Sequence, residues 1–184
     1  DYAGRILYFH SDDSLNFQTN ASTTYKLTIS SAGCVTMPVT PAFLAYLGTT
    51  DSNVTGTGTA FTLGCGNALT EVFDQGSNFN TNGTFTAPVT GKYNFSCGVH
   101  FVGLTIASAA QIILVTSNRS VYLTVDGRAA GSSTWGISGS VLVDMDAGDT
   151  ATIQLVIVGE AGLTADVFGS ASPYPTWFSG SLEC

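Results

Sequence analysis

Apolar residues in this chain alternate with polar ones or form short runs, and clusters of Gly, Ser, Thr, Asn and Asp separate these segments. Alternation with a period of two indicates β-strands, whereas the 3.6-residue period of an amphipathic helix is nearly absent. Many short apolar segments bounded by turn residues are typical of a β-sandwich or barrel. The pattern therefore predicts an all-β fold, and about ten segments beyond the first forty residues is the scale of a jelly-roll β-sandwich.

The strand-like segments of residues 1–40 are unusually short. They cover 6–9, 15–17, 25–29 and 34–37, with polar turns between them. Because strands this short do not bury a core alone, we predict a β-rich shaft or linker segment that buries its apolar stripe along an axis shared with two further copies. A disordered leader is the alternative, although disordered segments are usually poor in the Ile, Leu, Tyr and Phe that this one contains.

Pro38 and Pro41 mark a boundary, because each fixes its own φ and restricts the residue before it. Beyond them the segments lengthen, and we assign residues 41–184 to a second domain. Its predicted strands, separated by turn residues, are 42–47, 59–73, 84–87, 92–101, 111–116, 120–125, 136–144, 150–158 and 176–182.

Composition narrows the classes of function. Charged residues make up 10% of the chain and the mean hydropathy is +0.27, whereas a typical soluble domain is about 25% charged. So little charge predicts that part of the surface is buried in an oligomer.

The formal net charge is −8 and the five Lys and Arg residues are scattered, which argues against nucleic-acid binding because no basic patch is available for phosphates. No apolar run approaches the roughly 18 residues of a membrane span, so membrane insertion is not expected.

The strand predicted at 92–101 has apolar residues at alternate positions. Tyr93, Phe95 and Cys97 therefore share one face. We predict that this face points into the core and that Cys97 is a buried thiol.

Four motifs in order resemble the globular head of complement component one-q. The central one is FDQGSNFNTNGTFTAPVTGKYNFS at 73–96; PAFLAYL at 41–47, AGD at 147–149 and WFSGSL at 177–182 complete the set, so the resemblance covers 41–184. It implies a jelly roll of the complement one-q and tumour-necrosis-factor-like superfamily that packs as a compact homotrimer. The residues with structural roles in these motifs are Phe73, Phe85, Gly91, Tyr93, Phe95, Gly148, Asp149, Phe178 and Gly180.

A second resemblance concerns residues 4–33, GRILYFHSDDSLNFQTNASTTYKLTISSAG. Their strand-turn rhythm is similar to the repetitive linker ahead of the tip domain in phage tail-fibre proteins. NVTGTGTAFTL and DMDAGDTA also resemble the phage and bacterial branch of the family, and the chain lacks the Gly-x-y collagen stalk of the animal branch.

These resemblances imply a virion structural protein. It would be a trimeric tail-fibre tip on the extracellular face of the virion, joined to an upstream fibre or tail protein and attached to a host cell-surface receptor. The alternative is a secreted trimeric ligand or lectin-like head of the same superfamily.

No residue pattern indicates an enzyme. His10 and His100 are the only histidines, and neither stands in a pattern that suggests a hydrolytic triad; we interpret His100 as a structural residue of a core strand. Gly64-Cys65-Gly66 is interpreted as a bend or bulge in a strand pair. All four cysteines are predicted to be reduced, because neither zinc-ligand spacing nor the cysteine density of a disulfide scaffold is present.

Three closely spaced carboxylates, Asp144, Asp146 and Asp149, offer oxygen ligands to calcium. Some members of the complement family bind calcium near the trimer axis, but this spacing differs from the Asp-x-Asp-x-Asp-Gly calcium loop. We favour a solvated acidic turn and expect no cofactor, with calcium as the alternative.

Fibre tips bind host surfaces through loops at the end away from the stalk. The family topology implies that loops 102–110, 127–135 and 159–175 lie at that end, with Glu160 and Trp177 near their edges. Aromatic faces with a few polar groups suit a protein or saccharide receptor, although packing within the sandwich is the alternative for Trp135 and for Trp177. The candidate receptor contacts are Arg128, Trp135, Asp166 and Tyr174.

Overall fold

The structure, a computed structural model, describes residues 3–20, 22–127 and 132–183. Every regular element in these ranges is a β-strand, and they contain no helix long and apolar enough to cross a membrane. The chain divides into two compact units, Asp1–Thr40 and Pro41–Cys184.

Turn residues bound the strands in both units. The strands of the first unit are β1 (Gly4–Phe9), β2 (Ser14–Thr19), β3 (Leu27–Ile29) and β4 (Val35–Thr36). Those of the second unit are β5 (Ala42–Leu47), β6 (Asp51–Thr55), β7 (Phe61–Thr62), β8 (Leu69–Gln75), β9 (Phe79–Asn80), β10 (Thr84–Thr86), β11 (Gly91–Val102), β12 (Ala109–Thr116), β13 (Ser120–Gly127), β14 (Thr134–Met145), β15 (Thr150–Val158), β16 (Ala165–Val167) and β17 (Trp177–Leu182).

The first unit is one antiparallel sheet with strand order β1-β2-β3-β4. The turn between β1 and β2 places Asp13 at φ 52°, a left-handed conformation that Asp tolerates better than most residues. Across this turn the Tyr8 hydroxyl donates a hydrogen bond to Asp13 Oδ1 at 2.6 Å. Each of the four segments predicted in residues 1–40 contains a strand, although β3 begins at Leu27 and β4 spans two residues.

Two sheets packed face to face form the second unit. One has the order β13-β12-β15-β10-β9 with β7 paired to β15, and the other has the order β6-β16-β11-β17-β5-β8 with β14 paired to β11. Pairs such as β12 with β15 are antiparallel but not consecutive in the chain. These crossover connections are typical of a jelly roll rather than of a simple up-and-down meander.

Aromatic rings occupy the centre of the core between the two sheets. Phe43, Phe85, Tyr93, Phe95 and Phe178 are at most 1% exposed. Phe43 stacks on Phe85 with ring centroids 5.3 Å apart and meets Phe178 edge-on at 5.0 Å. The predicted alternation of the strand at 92–101 is confirmed, because Tyr93 and Phe95 both point into this cluster.

Two further core positions were named from the sequence. Cys97 is fully buried, as predicted, and burial raises the pKa of its thiol. At Gly180 an added Cβ would lie 2.6 Å from Phe95 Cδ1 and 2.7 Å from Phe43 Cε1. The two rings therefore occupy the space that any side chain at this position would need.

The predicted strand at 59–73 is wrong as one element. It is divided into β7 and β8 by a loop that contains Gly64 at φ 92°, where an added Cβ would lie 2.6 Å from the carbonyl carbon of Asn82. This close approach of two backbone segments places Gly64-Cys65-Gly66 in a bend of the loop between β7 and β8. Of the two interpretations of this segment, the bend is correct and the bulge in a strand pair is wrong. Strands β6, β9 and β16 were not predicted.

Phe73 has a different role from the other aromatic residues of the motif at 73–96. It is exposed and lies on the sheet face that points away from the core, opposite Leu44 in the register of β5 and β8. The adjacent Asp74 shapes the turn instead, because its carboxylate accepts hydrogen bonds from Asn78 N and Phe79 N, each at 3.1 Å.

The strand register defines two ends of the second unit. At the terminal end, Ala42 of β5 pairs with Ser181 of β17, so the first and last strands of the unit meet there. At the opposite end, called the loop end, Ala109 pairs with both Gly127 and Val158. The connection from β11 to β12, the end of β13 and the segment that follows β15 therefore lie together at the loop end.

Candidate functional site

The loop end brings together segments from distant parts of the sequence. The connection 103–108 meets the segment 159–164 that follows β15, and 56–60 joins them because Glu160 N donates to the Gly56 carbonyl at 3.0 Å. An added Cβ at Gly56 would lie 2.1 Å from the Gly162 carbonyl oxygen. Close backbone packing therefore holds the base of the loop end together.

The Glu160 carboxylate fastens the connection 103–108 to this base. Its Oε1 accepts three backbone hydrogen bonds, from Thr105 N at 2.6 Å, Ile106 N at 3.0 Å and Ala107 N at 2.9 Å. The Thr105 hydroxyl donates to Oε2 at 2.5 Å. We call this arrangement the Glu160 clamp.

Glu160 is 6% exposed, and burial alone would favour its neutral form. The hydrogen bonds from Thr105, Ile106 and Ala107 act in the opposite direction and outweigh burial, so the pKa of Glu160 lies below its usual value. The carboxylate is therefore charged at neutral pH and has a structural role, which sequence reasoning did not assign when it placed Glu160 at a loop edge.

Trp135 lies in the core, so its prediction as a receptor contact is wrong. Its side chain is 3% exposed, and the indole Nε1 donates to Asp126 Oδ2 at 2.9 Å. A buried ring with a satisfied N–H is unavailable to a receptor. Of the two possibilities stated for Trp135, packing within the sandwich is correct. The same alternative is wrong for Trp177, which is half-buried on the sheet face that points away from the core, opposite Gly98 and Tyr46.

The other predicted contacts differ in their surroundings. Asp166 is half-buried and accepts a hydrogen bond from Asn53 N at 2.7 Å, so it holds β6 against β16. Tyr174 is exposed and stacks on Tyr46 of β5, with ring centroids 4.1 Å apart. Arg128 lies outside the described residues.

Two exposed apolar side chains at the loop end were missed. Ile106 is 51% exposed at the centre of the Glu160 clamp, and Leu163 is 45% exposed in the segment 159–164. Single apolar residues in turn-rich segments carry no periodic signal, so the sequence pattern did not separate them from core residues. Their exposure makes them candidate contacts for a partner.

A second surface lies on the seven-stranded sheet, on the face that points away from the core. Over three consecutive rows, which cross β14, β11, β17, β5 and β8 in register, this face carries no charged side chain. The rows, together called the central face, are Leu142, Asn94, Ser181, Ala42 and Gln75; Ser140, Ser96, Ser179, Leu44 and Phe73; and Ser138, Gly98, Trp177, Tyr46 and Thr70.

The central face combines exposed apolar groups with small polar ones. Leu142 is 54% exposed, Phe73 is exposed, and the Tyr174 ring covers Tyr46. The first charged side chains are in the next row toward the terminal end, where Lys92 of β11 lies opposite Asp144 of β14 in the strand register. An uncharged, partly apolar face with a polar rim is typical of an interaction surface.

The three aspartates considered for calcium are each held by protein groups. Asp144 forms an ion pair with Arg119, with Nη1 and Oδ1 2.8 Å apart. Asp149 Oδ2 accepts from Asp146 N at 2.8 Å and from Asn118 Nδ2 at 2.6 Å, and Gly148 adopts φ 93° in the same turn. Among the described residues, no group of three or more His, Cys, Asp or Glu side chains is arranged to hold a metal ion.

His100 does not face the core. It is half-buried on the opposite face of β11 and packs against Phe168 with ring centroids 5.6 Å apart. Cys34 and Cys65 are exposed free thiols, and Cys97 is a buried one. Cys184 lies outside the described residues.

This fold and its motifs agree with a known family of domains. The family model of the C1q domain matches residues 67–182, which is more than half of the chain. The chain therefore belongs to the C1q domain family. No curated protein sequence matches it.

Solved structures give the same fold. The globular domain of zebrafish complement 1qA protein is 19% identical with a TM-score of 0.51, over 78% of this chain and 98% of that chain. Murine APRIL at pH 5.0 is 14% identical with a TM-score of 0.53, over 78% of this chain and 99% of that one; at pH 8.5 the values are 13% and 0.51, over 78% and 98%. The predicted all-β jelly-roll sandwich of the C1q and tumour-necrosis-factor type is confirmed.

Proposed function

We propose that this chain is the homotrimeric tip of a bacteriophage tail fibre, which attaches a virion to a host-surface receptor by binding alone. Its partners are two further copies of itself, an upstream fibre or tail protein, and a protein or saccharide receptor on the host. The observation that carries the proposal is the central face, an uncharged surface that leaves large apolar groups exposed on a single copy.

Self-association of the central face explains the low charge of the chain. Burial of Leu142, Phe73 and their neighbours removes apolar area from water, which favours association by about 25 cal/mol per Å². The serine side chains in the rows of the central face are small, so the sheets of neighbouring copies can approach each other closely. Lys92 and Asp144, which lie opposite each other in the register of β11 and β14, are then at the rim, where charged side chains remain solvated.

Replacing Leu142 by aspartate is expected to convert the trimer to monomer at micromolar concentration, because three carboxylates would be brought into an apolar contact. The matched control is Tyr122→Asp, since Tyr122 is 59% exposed on β13 of the other sheet. The mass is measured by light scattering or sedimentation. A monomeric wild type, or a Leu142→Asp variant of unchanged trimeric mass, contradicts this use of the central face.

The first unit supports the fibre assignment. Residues 1–40 form short strands joined by turns, a repetitive pattern suited to a shaft rather than to a collagen stalk. A secreted trimeric ligand or lectin-like head is the alternative, and it shares the trimer and the loop-end site. The two are separated by the partner, which is a bacterial surface in the first case and an animal receptor or glycan in the second.

The loop end is the proposed receptor site, because it lies opposite the end where Ala42 and Ser181 meet. Ile106 and Leu163 provide exposed apolar contact, and the Glu160 clamp holds Ile106 in place. Tyr174, whose ring stacks on Tyr46 of the central face, is a candidate receptor contact at the margin of the loop end. Arg128 remains a candidate receptor contact in the sequence that follows β13.

Ile106→Asp combined with Leu163→Asp is expected to reduce binding to host cells at least about tenfold per site, since two central apolar anchors become charged. Three sites act together, so the loss of avidity is larger than the loss at one site. The control is Val89→Asp, because Val89 is similarly exposed near the terminal end. Binding is measured by flow cytometry with labelled protein of verified trimeric mass, and undiminished binding by the double variant would place the receptor site elsewhere.

A further inference from the structure

One face of the first-unit sheet consists of apolar side chains that a single copy leaves open. Cross-strand register aligns Ile6 with Phe17 and Leu27, and Tyr8 with Leu15, Ile29 and Val35. Ile6 is 70% and Val35 59% exposed. The apolar sheet face is the set of these seven residues: Ile6, Tyr8, Leu15, Phe17, Leu27, Ile29 and Val35.

The opposite face of this sheet shows the reverse pattern. Ser14, Asn16 and Gln18 of β2 are buried there. Asn16 Nδ2 donates to Ser14 Oγ at 2.8 Å, and the Thr28 hydroxyl donates to Asn16 Oδ1 at 2.8 Å. Gln18 Nε2 donates to the Ser22 carbonyl. The fully buried positions of this side are thus polar, and Leu7 and Phe9, which lie opposite Asn16 and Ser14, are half-buried there. Ile6, Tyr8 and Val35 of the apolar sheet face are exposed instead.

Such a sheet lacks the burial that stabilises a small β unit, since strands of two to six residues need a covered hydrophobic face. We infer that the cover is supplied by two further copies of this chain, whose apolar sheet faces pack against this one around a shared axis. The inference rests on the proposed homotrimer and adds to it a second, separate contact between copies.

Identical copies suit this face for two reasons. None of its seven side chains is charged, and Arg5 lies on the other side of β1 opposite Gln18. The Asp13 carboxylate that accepts the Tyr8 hydroxyl belongs to the turn at the end of β1, so most of the face can meet identical copies without electrostatic repulsion. Only residues 37–41 separate β4 from β5, a connection that spans at most about 20 Å. Once the second units have associated, this short tether keeps the three sheets at high effective concentration, about millimolar for a short flexible linker.

Thiol protection in the full chain tests the inference. In a background of Cys34→Ser, Cys65→Ser and Cys184→Ser, a single cysteine is introduced as Ile6→Cys on the apolar sheet face or as Arg5→Cys on the other face. Both positions are exposed in one copy, so neither change disturbs a core. In the trimer, a maleimide is expected to label the Ile6→Cys thiol at least about tenfold more slowly than the Arg5→Cys thiol, because labelling requires local opening.

The outcome separates this contact from the proposed trimer. Equal labelling rates in protein of trimeric mass overturn the inference and leave the central-face trimer intact. A monomeric mass contradicts the trimer itself, and protection of the Ile6→Cys thiol in such a monomer also overturns the inference, because the cover would then come from within one chain. Slow labelling that becomes equal to the control after dissociation by Leu142→Asp supports it.

Discussion

Replacing Phe178 by alanine is expected to lower the free energy of unfolding by about 3–5 kcal/mol, which is the usual cost of removing a buried phenylalanine. Phe178 is fully buried in β17. Its ring meets Phe43 edge-on at 5.0 Å and lies 5.9 Å from Phe95. Neighbouring rings in a close-packed core do not collapse into a ring-sized space, so the transfer and cavity costs add.

The measurement is chemical denaturation at one fixed protein concentration, since the apparent stability of an oligomer depends on concentration. Tyr122→Ala is the control, because it removes an aromatic ring that is largely exposed on β13; its expected effect is below about 1 kcal/mol. A loss below about 1.5 kcal/mol for Phe178→Ala would show that this core relaxes around the missing ring.

The sequence was sufficient to predict the strands that bury a continuous apolar face. In β11 and β15 apolar side chains recur at every second position or in unbroken runs, and both strands were predicted within a few residues of their observed ends. Strand β6 escaped because DSNVT has no alternating apolar pattern, and β16 escaped because its three residues are too few to show one. Their pairing also joins residues more than a hundred positions apart. Local pattern carries no information about such pairing.

The candidate site was less accessible to sequence reasoning, for physical reasons that differ between residues. Trp135 and Tyr174 are both aromatic residues at predicted loop edges, yet one is buried by its alternation within β14 and the other is exposed on Tyr46. Glu160 has the composition of a surface residue. Its role depends on three backbone N–H groups that converge from a connection more than fifty residues earlier, and no motif marks that convergence.

The Glu160 clamp predicts that two substitutions at one position have very different effects. Glu160→Ala removes the acceptor and leaves Thr105 N, Ile106 N and Ala107 N without their partner, at an expected cost of about 2–3 kcal/mol. Glu160→Gln keeps an amide oxygen for these donors, so its expected cost at neutral pH is within about 1 kcal/mol. The loss in Glu160→Ala should also weaken host binding, because the backbone that presents Ile106 is no longer fastened.

Acid should affect the wild type and the Glu160→Gln variant differently. The pKa of Glu160 is lower in the folded protein than its usual value of 4.5, so the unfolded chain takes up its proton first as the pH falls. The stabilisation by the clamp is therefore complete above the usual pKa and is lost as the pH falls through the folded pKa. An amide does not titrate, so the difference in stability between wild type and Glu160→Gln should shrink between pH 7 and pH 3, whereas titration of the other carboxylates is common to both and cancels.

Thermal unfolding at matched concentration over this range measures the difference, and hydrogen exchange at Ile106 N reports whether the loop opens before the sandwich unfolds. A difference that stays constant with pH would mean that the pKa of Glu160 is the same in the folded and the unfolded protein, so that its charge is not stabilised by the clamp. The connection 103–108 would then need another anchor.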